Sequence, residues 1–307
     1  MLLGKPKQEL EEEEVKITGT VAIVFSNKPW AMPPFLHHFS ELKFPNKKQL
    51  KLLVLDVSGN QQINDAFDGE KGFFTGIKDT WGEYQYLKFN QKNQVVTEPP
   101  ASDFPDKESF DRVIYIKQQN VADSMNTILQ YRVGDVFLME DDVICPPNTY
   151  NKLRRILDKD VNKDVGAATG ITYNRNGKRS KYLPLIWDFL SNTNFPNRTA
   201  FMNAHTEMRV VNEVGMRDGI STVGATATGC IMYRSKVLDN FHFHARREDL
   251  PGLEGQDIMV SWHITQELKK EIKADWSIKT KHMEPGLNTI TMITSLPYGN
   301  DYDWPNE

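Results

Sequence analysis

The sequence predicts an α/β fold in which a mostly parallel central sheet is flanked by helices. Short apolar runs rich in β-branched residues alternate with segments whose apolar residues recur at helical spacing. Such an alternation is typical of parallel sheets that are covered on both faces. The length of 307 residues suits one large domain or two closely packed halves. We therefore expect a single enzyme-sized unit.

The predicted strands are apolar runs that end in small polar loops, as buried strands do. In chain order they are residues 21–25, 50–57, 112–117, 136–139, 165–171 and 226–233. The predicted helices have apolar residues three or four positions apart, and they are residues 121–131, 150–157 and 255–270. Residues 69–105 mix glycine, proline, aromatic and charged residues without a clean period. We predict only loops, short strands or a hairpin there.

Charge and cysteine content favour some partners and compartments over others. The net charge of −4 gives no global attraction to nucleic acid or anionic lipid. The two cysteines, Cys145 and Cys230, have no CxxC spacing, so they indicate neither a zinc site nor a disulfide framework, and they favour a reducing compartment. We find no signal peptide and no apolar segment of the roughly 18–20 residues that a membrane span needs. The expected location is the cytoplasm, with no transmembrane segment.

Three consecutive acids, Glu140, Asp141 and Asp142, follow the strand predicted at residues 136–139. Negative charge at the end of a buried strand costs free energy unless a cation compensates it. Carboxylate oxygens are ligands that suit Mg²⁺ or Mn²⁺. If strand geometry persisted, Glu140 and Asp142 would point to one side and Asp141 to the other. The residues alone equally allow a polar turn in which Asp142 caps the following segment.

The order of these segments resembles the GT-A-type nucleotide-sugar glycosyltransferases, and most closely the inverting glycosyltransferase family two. The matching segments are VAIVFSNKPW, LKLLVLDVSGN, QQNVADSMNTILQYRVGDVFLMEDDVI, VGAATG, GATATGCIMYRSKVL and EGQDIMVSWHI. The resemblance extends from about residue 21 to residue 283. It implies a GT-A-like sheet with a merged acceptor-binding half and a DXD-like acidic motif.

The resemblance implies a role for each residue that matches the motifs. Asp142, at the last position of the acidic motif, would bind the Mn²⁺ or Mg²⁺ that bridges the donor diphosphate, and His282 would be a late metal ligand. Glu140 stands at the first position of the motif, where Asp is commoner. The residues implied in nucleotide binding are Ser26, Asn27, Asp56, Glu140 and Asp141.

Asp257 matches the acid that serves as general base in the inverting enzymes. Thr228, Gly229 and Trp262 match positions near the donor sugar and the acceptor. Purely structural roles stay open for all of them, because Asp257 could be a helix N-terminal acid and His282 a loop or core residue. Small residues at 228–229 and a tryptophan on a helix could equally serve packing.

The implied organisation has four parts. Residues 1–16 are expected to form a disordered acidic tail, 17–150 the nucleotide-sugar-binding half, 151–290 the acceptor-binding and catalytic half of the same domain, and 291–307 a C-terminal tail. The implied function is metal-dependent transfer of a hexosyl or pentosyl group from a nucleoside-diphosphate donor, with UDP favoured, to an acceptor hydroxyl with inversion. The alternatives are a nucleotidyltransferase, a retaining glycosyltransferase and a non-catalytic nucleotide-sugar-binding relative.

The acceptor stays open at this stage. A glycan, a lipid-linked sugar, a protein, a small molecule and a hydroxylated nucleobase are all candidates. Residues 61–110 and 172–222 are the segments that we expect to determine this choice.

Overall fold

The computed structural model describes residues 16–26, 28–58, 72–88, 105–160, 163–176, 181–187, 219–245 and 255–283. Strands and helices alternate in the first half of this part of the chain. The elements are β1 (Gly19–Phe25), α1 (Met32–Glu41), β2 (Leu50–Asp56), α2 (Phe73–Ile77), β3 (Glu83–Lys88), α3 (Lys107–Tyr131), β4 (Asp135–Glu140) and β5 (Val143–Ile144). Two short 3₁₀ helices lie at Lys47–Gln49 and Lys78–Thr80.

The second half is richer in strands. Its elements are α4 (Thr149–Lys159), β6 (Val165–Asn176), β7 (Lys181–Pro184), β8 (Ile186–Trp187), β9 (Ile220–Val223), β10 (Ala225–Thr226), β11 (Cys230–Tyr233), α5 (Ser235–Leu238), α6 (Gln256–Trp262) and β12 (Glu271–His282). A π-helical turn at His263–Glu267 continues α6.

One sheet joins strands from both halves in the order β3-β2-β1-β4-β11-β6-β12-β5. The strands β3, β2, β1 and β4 are mutually parallel, and β12 is parallel to β6. Strand β11 is antiparallel to both of its neighbours, so β6 and β12 run in the same direction as β1. The predicted α/β fold with a mostly parallel central sheet is therefore confirmed.

The sheet is buried on both faces, and this explains why β1 and β2 read as nearly continuous apolar runs. Alternate side chains of these strands enter two different core clusters, because successive residues of a strand point to opposite faces. Val21 and Ile23 belong to one cluster and Ala22 to the other. The first cluster includes an aromatic group under α1, in which Phe25 and Phe35 meet edge to face at 5.4 Å.

Two sequence expectations about single elements differ from the structure. Residues 112–117, expected as a strand, lie within α3, where a helix that starts at the N-cap Asp106 overrides their β-branched character. The short strand β3 lies in the 69–105 region, where loops, short strands or a hairpin are expected, and it adds parallel to β2. The strand expected at 226–233 is split into β10 and β11, and β12 was not predicted.

No helix in the described part of the chain has the length and apolar character that a membrane span requires. Both cysteines are buried free thiols.

The turn between α3 and β4 depends on a glycine. Gly134 has a φ of +63°, and a Cβ at this position would lie 2.1 Å from the carbonyl oxygen of Thr18. We expect Gly134→Ala to lower the free energy of unfolding by more than about 1 kcal/mol, measured by urea denaturation.

The matched control is Gly76→Ala on α2, where an added Cβ meets nothing within 4 Å. It should leave stability unchanged or raise it by about 0.5–1 kcal/mol, because alanine is the better helix former. An unchanged midpoint for Gly134→Ala would contradict the close approach of this turn to β1.

Candidate functional site

A cavity of about 490 Å³ lies at the carboxyl ends of β1, β2 and β4. Ligands of open α/β sheets usually bind at this edge. The cavity is lined by the segments that follow β1, β2 and β4, by one face of α3, by the start of α6 and by the end of β12. Another cavity, of about 440 Å³, lies between α4 and β12 but contains none of the acids at 140–142. The first cavity is therefore the candidate site.

The three acids reach different partners. Strand β4 ends at Glu140, whose Oε1 accepts a 2.7 Å hydrogen bond from the Thr228 hydroxyl. Asp141 accepts hydrogen bonds from the Ser26 amide at 2.7 Å and the Ser26 hydroxyl at 3.0 Å. Because the chain turns directly after Glu140, strand alternation does not extend through Asp142.

Lys28 is the cation that compensates this acidic cluster. Its Nζ lies 2.6 Å from Asp142 Oδ2 and 3.3 Å from Asp141 Oδ1, and both aspartates are buried. Burial by itself lowers the pKa of Lys28, but the charges of the two aspartates outweigh it and raise this pKa above its ordinary value. Burial raises the pKa of Asp141, against the opposing effects of Lys28 and Ser26. Lys28 balances one of the three negative charges, so the group formed by Lys28 and the three acids has excess negative charge.

Asp142 and His282 together offer donor atoms for a metal. The Oδ1 of Asp142 and the Nδ1 of His282 are buried, and neither has a hydrogen-bond partner in the described residues. The Nε2 of His282 lies 3.4 Å from Asp142 Oδ2, and the amide of Met283 donates to the Asp142 carbonyl at 2.7 Å. A buried carboxylate oxygen without a donor fits a hard divalent cation such as Mg²⁺ or Mn²⁺.

A tighter group of three possible ligands occurs elsewhere in the described chain. The donor atoms of His37, His38 and Glu41 on α1 lie within 4.8 Å of one another, outside the cavity. Each imidazole there pairs with Glu41, at 3.7 and 3.2 Å, as helical neighbours commonly do.

At the acidic cluster, Asp142 and His282 would hold a divalent ion. Water and ligand phosphates commonly complete sites of this kind.

Asp257 lines the same cavity, in the first turn of α6, and is half-buried. The placement of Asp257 depends on a glycine at position 255. Gly255 has a φ of +90°, and a Cβ on it would lie 2.9 Å from Asp257 Oδ1. The Gln256 side chain donates to the Gln118 carbonyl at 3.1 Å, which ties the start of α6 to α3.

The predicted nucleotide-binding residues do not all line the cavity. Ser26 lines it, and Asn27 lies outside the described residues. Asp56 is buried beside the cavity, whereas its neighbour Val57 lines it. The Oδ1 of Asp56 accepts from the Ser58 amide and hydroxyl at 2.9 and 2.6 Å, and Oδ2 accepts from the Tyr86 hydroxyl at 2.7 Å.

The predicted donor and acceptor residues also divide into two groups. Thr228 lines the cavity. Gly229 lies behind the lining, where its carbonyl accepts from the Glu140 amide at 3.4 Å and an added Cβ would meet Val143 at 2.6 Å. Trp262 is buried on α6, outside the lining residues.

Sequence reasoning missed several residues of the cavity. Lys28 lies in the loop after β1, three positions beyond the last strand residue Phe25, and a lysine in the loop after a buried strand was the available signal. Asn120 on α3 lines the cavity, and its side-chain nitrogen is buried without an acceptor in the described chain. The other missed lining residues on α3 and α6 are Lys117, Val121, Ser124, Met125 and Gln256.

Comparisons with known proteins give structural similarities only. No protein-family model matches the sequence, and no curated protein sequence matches it. The mannosyltransferase PcManGT from Pyrobaculum calidifontis, in complex with GDP-Man and Mn²⁺, is similar with a TM-score of 0.47 and 12% identity. That similarity covers 91% of this chain and 61% of PcManGT.

Two structures of S. aureus TarS are also similar at 10% identity. One has a TM-score of 0.44 and covers 85% of this chain and 36% of that chain. The other, TarS 1–349 in complex with UDP-GlcNAc, has a TM-score of 0.42 and covers 86% of this chain and 58% of that chain. This chain thus spans less than two thirds of each of these proteins.

The buried carboxylate of Asp56 depends on its donors. Tyr86→Phe removes one of them, and hydrogen bonds to charged groups contribute about 1.5–3 kcal/mol. We expect this variant to lower the free energy of unfolding by about that amount, measured by urea denaturation. Ser58→Ala, which removes the hydroxyl donor at Oδ1 and keeps the amide donor, should also lower the free energy of unfolding. Unchanged stability in both variants would contradict the buried network around Asp56.

Proposed function

We propose that this protein is a metal-dependent glycosyltransferase of the GT-A type. It transfers a sugar from a nucleoside-diphosphate donor, with UDP favoured, to an acceptor hydroxyl with inversion at the anomeric carbon. Asp142 and His282 bind Mn²⁺ or Mg²⁺, and Asp257 is the general base. The resemblance of the strand-end motifs to inverting family two supports this assignment together with the cavity.

One observation carries the proposal. A single cavity of about 490 Å³ contains both the Asp142–His282 pair and the half-buried carboxylate of Asp257. This volume lies in the usual range of about 300–1,000 Å³ for ligand sites. A site for sugar transfer by single displacement needs positive charge near the leaving diphosphate and a base near the acceptor. Different elements that line this cavity carry candidates for each task, α6 for the base and the ends of β4 and β12 for the metal.

The proposed transfer is a single displacement in which one bond forms and one bond breaks. Asp257 takes the proton of the acceptor hydroxyl while that oxygen forms a bond to the anomeric carbon. The bond from this carbon to the diphosphate oxygen breaks, and its electron pair leaves with the nucleoside diphosphate. A divalent ion bound at Asp142 would supply positive charge to that leaving group without a proton transfer. Ser26 and Asp141 are assigned to nucleotide binding with Asp56, Glu140 and Asn27.

Further assignments follow from the same site. Thr228, Gly229 and Trp262 are proposed to shape the donor and acceptor pocket, with Thr228 in contact and the other two in support. The transferred group is a hexosyl or pentosyl unit. A glycan, a lipid-linked sugar, a protein, a small molecule and a hydroxylated nucleobase are the acceptor classes to screen.

Metal dependence can be tested by binding alone. We expect UDP to bind with Mn²⁺ and to lose at least about tenfold in affinity with chelator, because the acidic cluster repels an anion. Asp142→Asn should lose most of the metal-dependent part of the UDP affinity. Calorimetry with UDP, GDP, CDP and dTDP, each with Mn²⁺ and with chelator, measures both effects.

The matched control is Asp164→Asn, which removes the same charge at an exposed ion pair with Lys270 outside the cavity. It should bind like the wild type. Failure of every diphosphate to bind under either condition would overturn the proposed function. A preference for nucleoside triphosphates, with release of pyrophosphate, would favour the nucleotidyltransferase instead.

The base can be separated from the metal site. Asp257→Asn should lower kcat by at least about 100-fold, because general-base catalysis contributes typically about 10²–10⁴-fold, while UDP affinity stays within about twofold. Turnover is measured as UDP release once an acceptor has been found by screening.

Asp123→Asn on α3 is the control, since this acid bonds to Gln119 and does not line the cavity. Full activity of Asp257→Asn would contradict its role as base. A product that retains the anomeric configuration of the donor would contradict the inverting mechanism.

A further inference from the structure

Lys28 occupies the carboxylate that the proposed metal needs. Its Nζ is 2.6 Å from Asp142 Oδ2, the same oxygen that lies 3.4 Å from His282 Nε2. An ammonium group and a divalent cation repel each other at such distances. The Oδ1 of the same carboxylate has no hydrogen-bond partner in the described residues. A metal ion there would lie close to this ammonium group, so Lys28 and the metal ion weaken each other's binding to Asp142.

The local structure allows Lys28 to leave Asp142 without rearranging the fold. Its backbone is fixed in the turn before α1, where its amide donates to the Ser26 carbonyl at 2.8 Å and its carbonyl accepts from the Ala31 amide at 2.9 Å. The side chain is 22% exposed, lines the cavity and carries its charge on a flexible stem. Rotation of this stem alone would move the ammonium group into the cavity.

We propose that Lys28 is an internal counter-ion that competes with the divalent cation for Asp142. Metal binding displaces its ammonium group, which then pairs with a phosphate of the bound nucleoside diphosphate. The competition rests on the metal site of the proposed function, and the second step rests on its nucleotide site as well. Lys28 thus couples the two ligands, because the diphosphate offers the displaced charge a new partner.

The competition is tested by Mn²⁺ binding without nucleotide. Lys28→Met removes the charge and keeps an unbranched side chain, so we expect Mn²⁺ affinity to rise by about 5- to 150-fold, the usual range of coupling between sites. Lys28→Arg retains the charge and should show no such rise. The double variant Lys28→Met with Asp142→Asn should lose this rise in Mn²⁺ affinity. Calorimetry measures all four proteins.

Lys117→Met is the matched control, because Lys117 lines the same cavity and its replacement also removes one positive charge from the lining. An equal gain in this variant, or no gain in Lys28→Met, would overturn the competition. Thermal unfolding gives a second readout: Mn²⁺ should raise the Tm of Lys28→Met more than that of the wild type. If Lys28→Met does not fold, Lys28→Gln is measured in the same way.

The coupling is tested by repeating the Mn²⁺ titration with saturating UDP. In the wild type UDP should raise Mn²⁺ affinity by a larger factor than in Lys28→Met, because only the wild type has a lysine to transfer to the phosphate. Equal factors would overturn the second step and leave the competition standing. Absence of UDP binding to any variant would count against the proposed function, while the metal titration without nucleotide still decides the competition.

Discussion

The burial of negative charge at the end of β4 is the constraint on which the site depends. β4 lies in the middle of the sheet between β1 and β11, and the two aspartates that follow it are only 2% and 4% exposed. Buried carboxylates require donors or cations, so neighbouring segments must supply them. Ser26 and Lys28 come from the loop after β1, Thr228 from the segment before β11, and His282 from the end of β12. These contacts bring distant parts of the chain together.

Strand β12 shows how the fold completes this arrangement. It pairs in parallel with β6 on both sides of a register shift between Ala274 and Lys279, and its last residues also pair antiparallel with β5. His282 lies opposite Val143 in that last ladder, directly after the acids. The final described strand is therefore held against the acidic turn by backbone hydrogen bonds, and the position of the His282 imidazole beside Asp142 follows from strand register.

The sequence allowed prediction of several buried strands and of the acidic residues that line the cavity, because both leave local signals. Apolar runs that end in polar residues located β1, β2 and β4, and a run of three acids at such an end predicts a charged site. The position of β12 could not be predicted, since alternating apolar and polar residues in a segment do not determine which strand it pairs with. The pairing of Lys28 with Asp142 was also invisible, because 114 positions separate the two residues. The prediction of a strand at 112–117 was wrong, because a short apolar run is compatible with a helix equally well.

Charge balance constrains how ligands can enter this cavity. With Lys28 engaged by two aspartates, the acidic cluster has excess negative charge, and a diphosphate placed beside it would be repelled in surroundings of low dielectric. A divalent cation would reverse the sign of that interaction and would at the same time free the ammonium group. If the proposed function holds, the metal must bind before the donor or together with it, because Lys28 stays paired with Asp142 until the metal displaces it. The same reasoning explains why a lysine, whose flexible stem allows it to move, suits position 28 better than a rigidly placed cation.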